Sequence, residues 1–293
     1  MKIARYQYKR REYYGIMQSE KIVILEDLAK KHETNLPSTI EGFVESSTAE
    51  ETADRMLAET TSSELDSFSI PTSKIKLLAP IASPPKILCL GLNYASHVNE
   101  TNEKRPEQPV VFMKPNTAVI GPNDKIIKRS FVKQLDYEAE LAVVIGRQAK
   151  DIAISEAPNF VFGYTILNDV SARDYQFKGS QWTPGKSFDT FAPIGPCITT
   201  SKQLPNVNNL AIKTWVNGEL RQDGNTRDMI FRVSEIICYL SRIMTLKPCD
   251  IIATGTPSGV GMAMRPQKWL NSDDKVQIEI EEIGILDNTV EEK

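Results

Sequence analysis

Short apolar runs that alternate with polar residues recur along most of the chain, which is the pattern of half-buried strands. The first 28 residues contain three such runs, KIARYQY, YGIMQ and KIVIL, and residues 40–57 carry apolar positions at helical spacing. Prolines then cluster between Ser67 and Pro85, where they restrict the backbone and interrupt regular pairing. The pattern therefore predicts a small N-terminal α+β cap domain over 1–80 and a larger domain over 81–293.

Strands dominate the predicted larger domain. Apolar runs separated by turn signals follow one another after Lys86, as ILCLGL, PVVFM, AELAVVIG, VFGYTILND, APIGPCITT, AIKTWVNGEL, DIIATGT and KVQIEIEEIG. The Asn217-Gly218 pair predicts a tight hairpin, and residues 121–124 predict a second turn. The clearest helix is predicted from Val233 to Met244. Together these elements predict the α+β fold class.

Composition and charge exclude several classes of function. Of the 293 residues, 41% are apolar and 25% are charged, as in an ordinary globular protein. The formal net charge of −3 gives no positive field that would hold nucleic acid by counterion release. No run approaches the roughly 20 apolar residues that cross a bilayer, and no signal-peptide stretch opens the chain. We therefore expect a cytoplasmic protein that binds neither nucleic acid nor membrane.

The supply of cysteine and histidine limits the metal sites that the chain can build. Its four cysteines lie far apart without a C-x-x-C pair, which argues against a zinc knuckle or a redox couple. Only two histidines are present, so no site can use three imidazoles from one chain. A bound metal would therefore be held by carboxylates, and carboxylates favour Mg²⁺ or Mn²⁺ over zinc or copper.

Three acidic residues are candidates for such a site. Glu138 and Glu140 stand two apart at the head of an apolar run that ends at Gly146, and in a strand both side chains would point to one face. Two anions on a buried face are costly unless a cation neutralises them. Asp169 ends the run VFGYTILND, and with waters the three carboxylates would complete the shell of a hard divalent metal. Spacing alone leaves open an exposed strand edge and a helix N-cap at Asp169 instead.

A histidine and a glutamate form a second candidate group. His97 and Glu100 are three residues apart, so one helical turn would place both on one face, where the pair can act as a general base. A surface pair without a role is the alternative. The polar segment 101–108 is a candidate lid over bound substrate. Lys186 could supply a fixed positive charge to a developing enolate, or it could be a solvated surface lysine.

The segment from Gly255 to Gly261 is a glycine-rich loop after an apolar run. It reads G-T-P-S-G-V-G and lacks the G-K-[ST] ending of a nucleotide-binding P-loop. We therefore predict that its backbone amides and the Thr256 hydroxyl bind a substrate carboxylate.

Six segments of the chain together resemble the fumarylacetoacetate hydrolase (FAH) superfamily. In chain order they are G-L-N-Y-x-x-H-x-x-E at 91–100, F-M-K-P at 112–115, D-Y-E-A-E-L-A-V-V-I-G at 136–146, N-D-V-S-A-R-D-Y-Q at 168–176, G-K-S-F-D-T at 185–190 and G-T-P-S-G-V-G at 255–261. The likeness runs from about Ile87 to Leu286. It is closest to the FAH-domain-containing and oxaloacetate decarboxylase-like members.

The resemblance implies a mixed β-roll catalytic core over 81–293, usually a homodimer, preceded by the cap seen in longer members. It implies that Mg²⁺ or Mn²⁺ is bound by Glu138, Glu140 and Asp169. It also implies roles for six further residues: catalytic for His97, Glu100 and Lys186, and substrate-binding for Arg173, Gln176 and Thr256.

Members of the superfamily share a site but not a reaction, so several activities follow from the resemblance. We expect divalent-metal-dependent cleavage of a C–C bond next to a small 2-oxo acid, through a metal-bound enolate. Oxaloacetate decarboxylation and acylpyruvate hydrolysis are both compatible with this expectation. One alternative is an isomerase and decarboxylase of the 2-hydroxyhepta-2,4-diene-1,7-dioate type. Another is a non-catalytic scaffold that binds a metal and a 2-oxo acid.

Overall fold

A computed structural model describes residues 1–293, which form nineteen strands, eight α-helices and five short 3-10 helices. The strands are β1 (Lys2–Tyr8), β2 (Arg11–Gln18), β3 (Lys21–Ile24), β4 (Ser69–Pro71), β5 (Lys76–Leu78), β6 (Ile87–Gly91), β7 (Val110–Lys114), β8 (Val119–Ile120), β9 (Lys125–Lys128), β10 (Leu135–Asp136), β11 (Ala139–Ile145), β12 (Val161–Asn168), β13 (Ser171–Ala172), β14 (Ala192–Thr200), β15 (Ala211–Val216), β16 (Glu219–Asn225), β17 (Ile251–Ala253), β18 (Lys275–Ile280) and β19 (Gly284–Glu292). The α-helices are α1 (Leu25–Lys31), α2 (Ile40–Glu45), α3 (Ala49–Glu59), α4 (Ser62–Ser67), α5 (Ala95–Thr101), α6 (Arg173–Gln176), α7 (Thr183–Lys186) and α8 (Val233–Ile243). The 3-10 helices are Thr72–Lys74, Asn116–Ala118, Ile154–Phe160, Thr226–Asp228 and Gly261–Ala263. None of the helices has the length and apolar content needed to cross a membrane.

Three sheets organise these strands. The largest has twelve strands in the order β4-β3-β2-β1-β14-β12-β11-β17-β6-β7, with β5 paired to β1 and β8 paired to β14. A five-stranded sheet follows the order β16-β15-β18-β19-β9, and β10 pairs with β13. Most neighbours are antiparallel, whereas β6–β17, β8–β14 and β9–β19 are parallel. This mixed, open arrangement of sheets with short helices confirms the predicted α+β class.

Local sequence patterns account for most of the elements. Each of the eight predicted apolar runs after Lys86 contains a strand, and the predicted helix becomes α8. Asn217 and Gly218 form the two-residue turn between β15 and β16, with φ of +52° and +81°. The prediction of a strand over KIVIL is wrong at its last residue. β3 ends at Ile24, and α1 begins at Leu25 and buries one of its faces in the core.

The N-terminal residues continue the large sheet. β1, at the start of the chain, pairs with β14, and Ile3 lies opposite Ile198. The Phe43 ring on α2 packs edge-on against Phe162 of β12, with 6.2 Å between ring centroids. Residues of 1–80 therefore share one sheet and one apolar cluster with the rest of the chain. The division into two domains at residue 80 stays a prediction.

The ends of four central strands meet at one edge of the large sheet. β11 and β12 are antiparallel, and Ala139 at the start of β11 lies opposite Asn168 at the end of β12. β6 and β17 run parallel to each other and end at this same edge, where β6 leads into α5 and β17 leads into the glycine-rich loop. Sheet register therefore brings together segments that are more than 100 residues apart in the chain.

Candidate active site

Three buried carboxylates meet at this edge of the sheet. One oxygen from each of Glu138, Glu140 and Asp169 lies within 4.8 Å of the other two. Glu140 belongs to β11, whereas Glu138 lies one residue before it and Asp169 one residue after β12. The predicted convergence of the three acids is therefore present, and the exposed strand edge is not.

Buried cations surround two of the three acids. The Lys186 Nζ lies 2.6 Å from Glu138 Oε2 and 2.7 Å from Asp169 Oδ2. The Lys114 Nζ donates to Asp169 Oδ1 at 2.5 Å, and Arg173 Nη2 lies 2.7 Å from Glu138 Oε1. Lys186 is thus a buried residue at the end of α7 rather than a solvated surface lysine.

The uneven distribution of buried cations shifts the pKa values of Glu138 and Glu140 in opposite directions. Burial alone would raise the pKa of Glu138, but the positive charges of Lys186 and Arg173 outweigh it and hold the pKa below its ordinary value. Burial would likewise lower the pKa of Lys186, and the charges of Asp169 and Glu138 raise it instead. Glu140 has no ion pair, so burial and the neighbouring Asp169 and Glu138 charges raise its pKa well above 4.5.

The charge balance of the cluster fits a divalent cation. Four buried carboxylates face only three buried cations: Asp136, Glu138, Glu140 and Asp169 against Lys114, Arg173 and Lys186. The acid without a cationic partner is Glu140, whose Oε2 accepts a hydrogen bond only from the Gly255 amide, at 2.7 Å. Oxygen ligands of this kind suit Mg²⁺ or Mn²⁺. A divalent ion would leave the site positive overall, as binding of an anionic acid requires.

Lys114 is a member of the site that the sequence analysis did not single out. It ends β7, its side chain is fully buried, and its Nζ also donates to the Val170 carbonyl at 3.1 Å. The available signal was its place in the F-M-K-P segment, where a lysine follows an apolar run. A single lysine at a strand end is too common to indicate burial without the tertiary structure.

We expect Lys114→Met to lower the free energy of unfolding of the metal-free protein by about 3 to 5 kcal/mol, because the variant leaves a buried carboxylate short of a cation. Lys128→Met is the matched control. Lys128 pairs with the half-exposed Glu292, which water can solvate when the lysine is lost, so this pair contributes little to stability. Urea unfolding of both variants in EDTA checks the difference. Equal losses in the two variants would contradict a special role for the Lys114–Asp169 pair.

The predicted histidine–glutamate pair lies at a cleft beside the carboxylates. α5 holds both residues, and His97 Nδ1 lies 2.8 Å from Glu100 Oε1. The second Glu100 oxygen accepts a hydrogen bond from the Gly259 amide at 2.9 Å, which ties α5 to the glycine-rich loop. The cleft encloses about 50 Å³ of space that water can enter and is open to solvent. Because His97 lines this cleft together with Glu138 and Glu140, the pair lies beside the acids and is not a surface pair.

The other predicted residues except Asp169 also line this cleft. It is lined by His97, Glu138, Glu140, Arg173, Gln176, Lys186 and Thr256 together with the apolar side chains of Leu92, Phe112, Phe177, Trp182 and Met262. Arg173 is engaged by the protein itself, because its Nε donates to Asp136 and its Nη1 donates to Gln176 Oε1, both at 2.9 Å. Residues 102–109 have no helix or strand, and Glu103 of this segment reaches the cleft. That the segment closes over substrate stays a prediction.

The glycine-rich loop differs from the prediction in one respect. Its amides at Gly255, Gly259 and Gly261 donate to Glu140, Glu100 and Asp136 of the protein, at 2.7, 2.9 and 2.8 Å. The prediction that these amides bind a substrate carboxylate is therefore wrong for all three. Positive φ angles of +94° at Gly255 and +105° at Gly259 allow the loop to fold back onto these acids. The Thr256 hydroxyl remains on the cleft wall.

Comparisons with known proteins agree with the resemblance seen in the sequence. The model of the family described as fumarylacetoacetate (FAA) hydrolase C-terminal matches residues 86–291. The Rattus norvegicus protein named oxaloacetate tautomerase Fahd2a, mitochondrial, is 45% identical over 222 residues, which cover 75% of this chain and 71% of the rat protein. The fumarylacetoacetate hydrolase from psychrophilic Exiguobacterium antarcticum superposes with a TM-score of 0.84 at 34% identity over 100% of both chains. The 2-hydroxyhepta-2,4-diene-1,7-dioate isomerase from Mycobacterium marinum gives a TM-score of 0.77 at 33% identity, over 100% of this chain and 99% of the other.

Proposed function

We propose that this chain, an enzyme that belongs to the fumarylacetoacetate hydrolase family, interconverts the enol and keto forms of oxaloacetate or a similar small 2-oxo diacid. The conversion breaks the O–H bond at C2 and forms a C–H bond at C3, so it needs a proton carrier and stabilisation of negative charge. The observation that carries the proposal is the His97–Glu100 pair held at the same cleft as the buried acids. The name of the rat relative supports the choice of oxaloacetate.

Glu138, Glu140 and Asp169 would hold the Mg²⁺ or Mn²⁺ ion that the site fits. When bound, a divalent cation would supply Lewis-acid stabilisation of the negative charge that develops on the C2 oxygen. Arg173 and Lys186 hold the two Glu138 oxygens from the protein side, so the direction of that carboxylate is set before any ion arrives.

His97 is the proposed proton carrier. Its Nδ1 contacts the Glu100 carboxylate, which can only accept a hydrogen bond, so the hydrogen of the neutral ring lies on Nδ1. Nε2 is therefore free to act as a base. Nε2 makes no hydrogen bond with the protein, and the ring lines the cleft. In the direction from enol to keto, Nε2 takes the proton from the C2 hydroxyl and returns it to C3. Glu100 stabilises the imidazolium that forms between these two transfers.

Lys186 serves as a fixed positive charge rather than as a base. Its pKa is raised by Asp169 and Glu138 despite its burial, so the ammonium stays protonated at neutral pH. A protonated amine cannot attack a carbonyl, which argues against a Schiff base. Its charge stabilises the enolate oxygen and lowers the barrier to proton loss.

The shape of the cleft favours a short substrate. Trp182 closes one side by packing directly on Gly91, where a Cβ would lie 2.2 Å from the indole ring. Phe112 packs edge-on against the same indole, with 5.7 Å between ring centroids. These rings face the charged half of the cleft, so a compact diacid fits better than a long acyl chain.

Cleavage of a C–C bond is a second candidate, which the same His97–Glu100 pair favours. If a water molecule instead of the enol hydroxyl meets Nε2, the pair can activate it against the distal carbonyl of an acylpyruvate. Oxaloacetate decarboxylation needs no such water, and the positive charge of Lys186 would stabilise the enolate that remains. Hydrolysis, decarboxylation and isomerisation therefore differ in what the proton carrier contacts, not in the charged groups of the site.

The decisive experiment compares these reactions in one preparation. Purified protein with Mn²⁺ is mixed in separate assays with enol oxaloacetate, to follow the loss of enol absorbance and CO₂ release, and with acetylpyruvate, to follow its hydrolysis. We expect rapid loss of enol that falls to the uncatalysed rate when EDTA is added. Acetylpyruvate hydrolysis or CO₂ release faster than enol loss would favour the second candidate. The absence of all three reactions would overturn both.

We expect His97→Asn to slow the tautomerisation by about 100-fold or more, because a positioned general acid–base is worth that much. The affinity for Mn²⁺ should remain, since the proposed ligands are untouched. His32→Asn is the matched control, because His32 is the other histidine and contacts Thr60 far from the cleft. Stopped-flow measurement of enol decay checks both variants. Unchanged decay in His97→Asn would remove histidine from the mechanism.

We also propose that the chain forms a homodimer, as the family resemblance implies. Phe131 is 54% exposed and lies against Tyr175 and Phe188, with ring centroids 5.8 and 6.2 Å away. This apolar patch next to α6 suits a subunit contact. The cytoplasmic location stays a prediction.

A further inference from the structure

We infer that Gln222 fixes the direction of the Thr256 hydroxyl, so that this hydroxyl donates its hydrogen into the cleft toward a substrate carboxylate. Gln222 is a positioning residue in this account, because it reaches substrate only through Thr256. The inference rests on the proposed function for the identity of the substrate, a small 2-oxo acid. Gln222 lies on β16, outside all six segments that carry the family resemblance.

The Gln222 amide is fully buried and all its hydrogen-bonding capacity toward the protein is used. Its Oε1 accepts from the Ala139 amide at 3.1 Å and from Thr214 Oγ1 at 2.8 Å. Its Nε2 donates to Thr256 Oγ1 at 2.8 Å and to the Pro257 carbonyl at 2.9 Å. Four contacts therefore hold one side chain between β11 and the glycine-rich loop.

These partners allow only one orientation of the amide. A backbone N–H can only donate, so the atom facing Ala139 must be the oxygen. A backbone carbonyl can only accept, so the atom facing Pro257 must be the nitrogen. A flipped amide would place a donor against the Ala139 N–H and an acceptor against the Pro257 carbonyl. Each mismatch would leave a buried polar group without a partner.

The orientation of Gln222 then determines what Thr256 can do. Because Thr256 Oγ1 accepts a hydrogen from Gln222, its own hydrogen must point elsewhere. The Thr256 hydroxyl donates to no protein acceptor, and the side chain lines the cleft. Thr256 therefore presents a free donor to the cleft. A carboxylate oxygen of the substrate is the acceptor that such a donor suits.

The rest of the loop makes this donor more important. The amides of Gly255, Gly259 and Gly261 are already bound to carboxylates of the protein. The Thr256 hydroxyl is a donor of the loop that remains on the cleft wall. Its direction should thus matter more for substrate affinity than for the chemical step.

A double-mutant cycle with Gln222→Met and Thr256→Val tests the coupling. Methionine has nearly the length of glutamine but no donor, and valine has the shape of threonine but no hydroxyl. We expect each single variant to raise the KM for oxaloacetate by about 10-fold or more, because a hydrogen bond to a charged group is lost, with kcat changed much less. The KM of the double variant should be no higher than that of the more impaired single variant. Thr256→Ser keeps the hydroxyl and should keep the KM within a few-fold.

A purely structural role of Gln222 gives a different result. In that case the KM penalties of the two single variants multiply in the double variant, because the loss of Gln222 then acts through the backbone of Ala139 rather than through Thr256. An unchanged KM in Thr256→Val would likewise overturn the inference. Gln277→Met is the matched control, since Gln277 of β18 donates to Asp287 of β19, away from the cleft, and its loss should leave KM unchanged. If Gln222→Met fails to fold, Gln222→Glu replaces it, because glutamate keeps the acceptor for Ala139.

A binding measurement separates this inference from the proposed function. The dissociation constant of oxalate is measured by calorimetry on the Mn²⁺-loaded protein for the same four members of the cycle. Oxalate mimics the adjacent carboxylate and keto oxygens of a 2-oxo acid and needs no turnover. Coupled losses of oxalate affinity without any reaction of oxaloacetate would support the role of Gln222 while the proposed reaction fails. Independent losses would overturn the role of Gln222 whatever the enzyme does to oxaloacetate.

Discussion

Glu140→Gln is expected to make the metal-free protein more stable while it removes metal binding and activity. Glu140 is buried beside two other acids and has no cationic partner, so its charge is the uncompensated one in the site. A neutral amide of the same shape can still accept from the Gly255 amide and leaves equal numbers of buried positive and negative charges. We expect a gain of about 1 kcal/mol in unfolding free energy, as for other residues kept for function at the expense of stability.

The same variant should lose its function. Removal of one of three proposed ligand oxygens is expected to lower the Mn²⁺ affinity and kcat/KM by about 100-fold or more. Urea unfolding in EDTA, calorimetric titration with Mn²⁺ and the enol-decay assay measure the three quantities.

Glu138→Gln supplies the matched control within the site. Glu138 compensates both Lys186 and Arg173, so its neutralisation should destabilise the metal-free protein while metal binding and activity are also lost. Opposite signs of the stability change in the two variants support the charge assignment. A loss of stability in both would show that Glu140 is not the uncompensated acid.

Lys186→Met is expected to lower the stability of the metal-free protein by about 3 to 5 kcal/mol, because Glu138 and Asp169 both lose a buried partner. Mn²⁺ should restore most of this loss, since a cation between the three acids replaces the missing positive charge. The rise in melting temperature on addition of Mn²⁺ should therefore be larger in this variant than in the unmodified protein.

Activity should nevertheless stay at least about 100-fold lower in Mn²⁺-loaded Lys186→Met, because the fixed charge that stabilises the enolate is absent. Thermal unfolding with and without Mn²⁺ and the enol-decay assay on the loaded protein separate the two effects. Lys186→Arg tests the geometry, since a planar guanidinium does not fit a position built for a compact ammonium. Full activity of the Mn²⁺-loaded methionine variant would reduce Lys186 to a structural role.

The sequence predicted the elements of the fold well, because they depend on local patterns. A strand alternates its side chains regardless of what lies next to it, so the runs from ILCLGL to KVQIEIEEIG could be identified one by one. The hairpin at Asn217-Gly218 was equally local, because its turn requires positive φ at two consecutive residues. The order of strands in the sheets could not be obtained in this way, since pairing joins segments from different parts of the chain.

The candidate site was predicted partly by chemistry and partly by resemblance. Spacing suggested that Glu138 and Glu140 share a face, but it left Asp169 open to another explanation. The family resemblance brought the three acids together, and the sheet register gives the physical reason, since Ala139 lies opposite Asn168. The acids therefore converge because two antiparallel strands begin and end at the same edge.

By itself, the sequence determined which residue types are available: oxygen ligands in place of imidazoles, one histidine with a carboxylate one turn away, and a loop rich in glycine. Only the tertiary structure decided how each is used. It buried Lys114 and Lys186 between acids, left Glu140 without a cation, and turned the loop amides toward the protein. The reason is that burial and hydrogen-bond direction depend on which groups the packed strands bring within about 3 Å, and no local pattern contains that information.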